Sequence, residues 1–187
     1  MPFPNEPIDD FSFRKDQFGN LKKHTPIGIY GSFYGSRKSD LISLQQFLRN
    51  SGYNPRISED LNTRSEKDRK KKDPVYDREL SETLIRESDI HIFVLVLPKE
   101  DEPDNLIQSV SMEIERLHTL DGYGHTSAKY VAVYAEKGLI GTMGGVCEGL
   151  LLSKEGDWEI EEFNKIHEIF TPARQFCLNC ILDMYTF

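Results

Sequence analysis

The segment Asp89-Ile90-His91-Ile92-Phe93-Val94-Leu95-Val96-Leu97 constrains this chain more than any other. A strand with one wet face alternates apolar and polar residues, whereas this one is apolar on both faces and needs cover on each side. Such a strand belongs at the centre of a parallel sheet with helices packed above and below. Lys129 to Ala135 repeats the pattern. Ile27-Gly28-Ile29-Tyr30-Gly31-Ser32 reads as a shorter buried strand running into a small-residue turn.

Helical spacing fills the intervals. Leu41, Leu44, Phe47 and Leu48 mark one face of a helix capped by Ser39-Asp40 and closed by Ser51-Gly52. Tyr53 to Ser58 reads as a second strand, although Pro55 weighs against its centre. A helix over Val75 to Glu87 turns Leu80, Leu84 and Ile85 inward, and another runs from Leu106 to Leu120. Beyond Gly138 the pattern predicts a short helix from Gly144 to Leu152 and an edge strand or helix start at Trp158 to Phe163. Thr171-Pro172 opens a last helix that reaches Tyr185.

This alternation predicts an α/β fold, a doubly wound (flavodoxin/Rossmann-like) parallel sheet of about five strands with helices on both faces. Residues 1–25 show no sustained period and read as an N-terminal arm, with 26–187 forming a single α/β domain. A length of 187 residues suits one well-buried core and would cramp two domains. In open sheets of this kind ligands bind outside the carboxyl ends of the strands, where strand order reverses.

Charge narrows the partners. A formal net charge of −8 disfavours a surface that neutralises nucleic-acid phosphates, but leaves room for a small anion in a locally positive pocket. The longest apolar run, Ile90 to Pro98, is far short of the roughly 20 residues of a membrane helix. No basic-then-apolar leader opens the sequence, and three cysteines make no disulfide framework, so a reducing cytoplasm is expected. A homo-oligomer is left open.

Two segments could carry chemistry. In Tyr30-Gly31-Ser32-Phe33-Tyr34-Gly35-Ser36, glycines let a ligand approach the backbone, and the hydroxyls of Tyr30, Ser32 and Ser36 suit ribose or phosphate. The same residues also serve any strand-to-helix turn for geometry alone, and neither a Walker loop nor a G-x-G-x-x-G fingerprint is present. In Ser109-Val110-Ser111-Met112-Glu113, the glutamate falls early in the helix after the central strand, with Ser109 and Ser111 placed to orient it. A carboxylate there can stabilise or attack an oxocarbenium-like C1′ as a ribosyl C–N bond breaks. A glutamate near a helix start is also favourable to the helix dipole without any such role. Asp104 is a candidate second carboxylate facing substrate.

The layout resembles the superfamily that joins nucleoside 2-deoxyribosyltransferases, related nucleotide N-glycosidases and TIR domains. The matching stretches are Ile29 to Phe33, Tyr76 to Val96 and Ser109 to Glu113, within roughly residues 26–135. The resemblance implies Tyr30 as a substrate contact and Glu113 as nucleophile or charge stabiliser. Departures are plain: Ile107-Gln108-Ser109-Val110 stands where the transferases have Asp-Ser/Gly-Gly-Thr, and the aromatic and cysteine of TIR domains are missing. The expected function is cleavage or transfer at the N-glycosidic bond of a nucleoside, nucleotide or NAD-like ligand, with no cofactor and no metal. The alternative is a non-catalytic nucleotide-binding sensor or protein-interaction module on the same fold.

Other motifs weigh less. Gly141-Thr142-Met143-Gly144-Gly145-Val146-Cys147-Glu148 is similar to the phosphate loop of lysine-decarboxylase-like phosphoribohydrolases, but its Gly-Thr precedes its Gly-Gly. The run Arg69 to Lys72 and the acidic loop Glu100 to Asp104 read as solvated turns. Cys177 and Cys180 lack a second ligand pair for zinc and read as core, as does His91.

Overall fold

The computed structural model describes residues 10–32, 34–65, 68, 73–99, 102, 106–143, 145–154 and 157–185. Its five strands are β1 (Pro26–Gly31), β2 (Asn54–Arg56), β3 (Ile90–Leu95), β4 (Val131–Glu136) and β5 (Glu159–Phe163). They form one sheet in the order β2-β1-β3-β4-β5. Every pairing is parallel, with β3 joined to β1 by Ile27↔Ile90 and to β4 by His91↔Val131. All six residues of β3 are buried, as a strand covered on both faces requires. The helices are α1 (Asp10–His24), α2 (Gly35–Asn50), α3 (Pro74–Glu87), α4 (Leu106–Gly122), α5 (Gly145–Ser153) and α6 (Phe170–Tyr185). The fold is therefore the doubly wound α/β sheet expected from the alternation.

Side-chain alternation along the strands divides the core. Ile27, Ile29, Ile92 and Val94 pack with Leu41, Leu44 and Leu48 of α2 and with Ala173 and Phe176 of α6. Tyr30, Phe93, Leu95 and Val133 pack with Leu84 and Ile85 of α3 and with Val110, Ile114 and Leu117 of α4. Each fully buried aliphatic side chain contributes about 1.5–3 kcal/mol from removal of its surface from water.

Local chemistry explains where elements begin. Asp73 caps α3 by accepting from the Tyr76 N–H at 3.2 Å, and Pro74 follows at the first helical position. Helix α2 starts at Gly35, ahead of the expected Ser39-Asp40 cap. Gly35 takes φ +50, which glycine adopts without strain, and Ser39 lies inside the helix with its carbonyl accepting from Ser43 Oγ at 2.8 Å. Pro55 is tolerated because β2 is an edge strand paired only with β1. Residues 10–24 of the N-terminal segment form α1, whose Phe18 and Leu21 pack on the α2/α6 side of the core. Charges and amides occupy most of its positions, so no period announces it. Trp158 to Phe163 resolves as the edge strand β5.

The chain steps outward from β1 to β2, then crosses back over β1 to β3. The reversal of strand order, and with it the crevice such folds use for ligands, lies between the carboxyl ends of β1 and β3. No helix among the described residues is long and apolar enough to cross a membrane.

Candidate functional site

Val110, Ile114 and Leu117 turn the inner face of α4 onto the sheet, which leaves Glu113 on the flank that meets α3. There the Ser81 hydroxyl donates a hydrogen bond to Glu113 Oε1. One turn further along the same seam, Arg116 donates to Glu82 at 3.1 Å, and Arg78 donates to the other Glu82 oxygen at 3.0 Å. Both arginines pair with Glu82, Arg116 through its terminal nitrogen while its buried Nε has no hydrogen-bond partner among the described residues, and no ion pair to Glu113 exists among those residues. Glu113 keeps partial solvent contact, yet protein crowds its carboxyl closely enough that burial raises its pKa to about 7, against the opposing pull of the Ser81 hydrogen bond. Near neutrality this group is present in both protonation states, the condition for acid, base or nucleophile work.

Tyr30 lies on the same face of the sheet and is only 1% exposed. Its ring stacks on Phe93 with centroids 4.5 Å apart and on His91 at 5.9 Å. Its hydroxyl is 3.0 Å from His91 Nδ1. A Cβ on Gly28 would sit 2.3 Å from that hydroxyl, so the side chain runs back along its own strand, towards the amino ends. Burial raises the Tyr30 pKa well above its ordinary value, Ser88 opposes the rise by hydrogen bonding, and the charge of Glu113 adds to it. Glu113 and Tyr30 therefore share one side of the sheet and sense each other electrostatically, with no hydrogen bond between them.

His91 is fully buried and its pKa falls to about 4 through desolvation, offset in part by the Ser127 backbone and Asp121. A neutral ring follows, and Nε2 has no hydrogen-bond partner of good geometry.

The β1 turn is divided. A Cβ on Gly31 would meet Leu41 Cδ2 at 2.7 Å and the Val94 carbonyl at 3.1 Å, so packing alone calls for glycine there. Ser32 is 5% exposed, and its hydroxyl accepts from the Tyr34 N–H at 3.3 Å. It lines a crevice of about 10 Å³ with Arg37, Leu41 and Val96, on the α2 side, whereas Glu113 lies on the α3/α4 side. Ser36 is in the first turn of α2. Phe33 and Asp104 lie outside the described residues. On α4, Ser109 is exposed and Ser111 half-buried.

Two contacts were not foreseen. Ser81 gave no sign, because its partner is 32 residues away on another helix. Arg37, a lone arginine in the first turn of α2, spans the switch point. It donates to the Leu97 carbonyl at 2.6 Å and pairs with Glu102 at 3.3 Å, the two side chains being 10% and 6% exposed.

The remaining motifs are placed without a site. Gly141 and Thr142 belong to a 3-10 turn, with the Thr142 hydroxyl donating to the Leu139 carbonyl at 2.8 Å, and Glu148 is half-buried in the first turn of α5. Cys177 and Cys180 are free and buried, and burial pushes the Cys180 thiol up to about 12. No group of three or more metal-ligating side chains occurs among the described residues.

Neither a family model nor a curated protein sequence matches this chain. Among solved structures it is similar to the CMP N-glycosidase BcmB of Clostridium botulinum, at 14% identity and a TM-score of 0.52. The match covers 81% of this chain and 99% of that one. At that identity the likeness is one of fold, extending over nearly the whole neighbour and most of the chain described above.

Proposed function

We propose that this chain cleaves the N-glycosidic bond of a nucleoside- or nucleotide-like substrate, with Glu113 as the carboxylate that meets the sugar C1′. The observation that carries the reading is a crowded carboxyl held by Ser81, paired with no described cation and raised to about 7. A fold shared with a CMP N-glycosidase supports it. In this reading the C1′–N bond breaks with its electron pair leaving on the base, and positive charge develops at C1′. Ionised Glu113 stabilises that charge or bonds to it. Water then supplies hydroxyl to C1′ and a proton to the base, or an acceptor base takes the place of water. Ser81 holds the carboxylate, and Tyr30 forms the apolar floor that desolvates it.

The turn of Gly31, Ser32, Phe33 and Ser36 is proposed to take the sugar or phosphate end of the substrate, with Asp104, Ser109 and Ser111 around the acid. A direct contact from Tyr30 requires its packing to open, since its hydroxyl is engaged at His91. That closure favours a second reading, a nucleotide-binding module without turnover. Incubation with a panel of nucleosides, NAD and nucleotides including CMP, followed by assay of free base, separates the two. Base release that disappears in Glu113→Gln supports the enzyme. Thermal stabilisation by a panel member without product supports the module.

A further inference from the structure

Arg37 is held unequally at the switch point. Its Nη2 donates to the Leu97 carbonyl at 2.6 Å, and the Leu97 N–H in turn donates to Glu136 at 2.9 Å. Leu97, just past β3, is thus fixed on both backbone groups by charged side chains from α2 and the end of β4. Glu102 is bound less closely. It meets Arg37 Nε through one oxygen at 3.3 Å, beyond the about 2.7–2.9 Å of a close charge-assisted bond. The same oxygen accepts from the Lys99 N–H at 3.0 Å. That bond holds the Glu102 pKa below its ordinary value against the effect of burial, and the charge of Arg37 adds to it. Glu102 is therefore an anion with a backbone donor of its own, lying against a guanidinium anchored elsewhere. Both side chains are covered, at 10% and 6% exposure. A carboxylate so placed occupies the edge of arginine that a phosphate takes.

We propose that Glu102 is an internal stand-in for the phosphate of a nucleotide substrate, and that a sugar phosphate displaces it from the Nε–H of Arg37. The proposal rests on the nucleotide reading above and narrows the substrate to a phosphomonoester. The crevice beside Arg37, about 10 Å³, has room for no more than one water, and Asp40 lines it, so the phosphate replaces Glu102 and does not enter that crevice. Arg37 lies on the α2 side of the strand ends and Glu113 on the α3/α4 side. This suits a ligand lying across the strand ends, its reacting carbon on one side and its phosphate on the other.

The experiment titrates the full chain with ribose 5-phosphate by calorimetry, with ribose as the control that lacks the phosphate. The parent is expected to bind ribose 5-phosphate and not ribose. Glu102→Gln, which removes the competing charge, is expected to bind it about tenfold more tightly, and Arg37→Met about tenfold or more weakly, the scale of one hydrogen bond to a charged group. An ion pair that serves the fold alone would instead lower the affinity on either substitution or leave it unchanged. Melting curves establish that the variants are folded; should Arg37→Met fail to fold, the sign of the Glu102→Gln change decides alone. The proposal is overturned by ribose binding as tightly as its phosphate, or by no saturable binding to the parent or Glu102→Gln. Affinity in Glu102→Gln no higher than in the parent, or undiminished in a folded Arg37→Met, overturns it as well. Ribose 5-phosphate has no N-glycosidic bond, so the two readings fail separately. Base release without this binding pattern removes the phosphate role alone, and the pattern without base release removes the cleavage alone.

Discussion

The Ser81 hydroxyl on α3 donates to Glu113 Oε1 on α4, tying the acid to the neighbouring helix. This bond favours the ionised carboxyl and partly opposes the effect of burial. Removing the donor in Ser81→Ala should raise the Glu113 pKa further. A hydrogen bond to a charged group is worth about 1.5–3 kcal/mol, equivalent to about one pH unit or more. The pH midpoint of base release is expected to move upward by that amount in Ser81→Ala, while Ser81→Thr retains the parent midpoint. An unchanged midpoint in the alanine variant would remove Ser81 from the positioning of the acid.

Glu113 also imposes a pH dependence on stability. Its pKa in the folded chain is about 7, against an ordinary 4.5, so the folded state binds more protons between those values. Stability contributed by the protonated acid is fully present below about pH 4.5 and is lost as pH rises through 7. Glu113→Gln removes the ionisation. Its melting temperature relative to the parent should therefore rise across this window and level off above it. A constant difference from pH 4 to 8 would mean that the carboxyl is not desolvated.

Gly31 separates a packing role from a ligand role. A Cβ at this position is forced against Leu41 Cδ2 and the Val94 carbonyl. Gly31→Ala is expected to lose about 1–3 kcal/mol, the range for overpacking a filled interior. Leu41→Ala empties a core position and is itself destabilising, but it clears the nearer of the two obstacles, so the double variant should lose less than the sum of the two single losses in a denaturant titration. Additive losses in the double variant would show that the Leu41 contact is not the source.

Tyr30→Phe deletes the hydroxyl bonded to His91 Nδ1 and leaves a buried ring nitrogen without its partner. About 1–3 kcal/mol of stability should go with it. Because the hydroxyl is engaged at His91 and makes no hydrogen bond to Glu113, base release by the folded variant is expected to stay within a few-fold of the parent. A collapse of release with stability intact would instead make Tyr30 a direct substrate contact.

The sheet was legible because β3 and β4 need cover on both faces, a demand written in consecutive residues. The pairing partners of polar side chains were not. Glu113 stood out by its place after the central strand, but Ser81 becomes its partner only through the packing of α3 on α4. Tyr30 looked like a ligand residue from its turn. Its direction depends on the space that Gly28 leaves for the hydroxyl, which no local pattern conveys. Helix α1 escaped notice because its charged composition hides the apolar contact that Phe18 and Leu21 make with the core.

The most direct measurement is free base released from the nucleoside and nucleotide panel by the parent and by Glu113→Gln, with melting curves establishing that both are folded. The parent is expected to release base from at least one member, and the glutamine variant to be slower by about a hundredfold or more, the scale of losing an acid–base or nucleophilic group. Release at the parent rate by a folded Glu113→Gln would contradict the role given to Glu113.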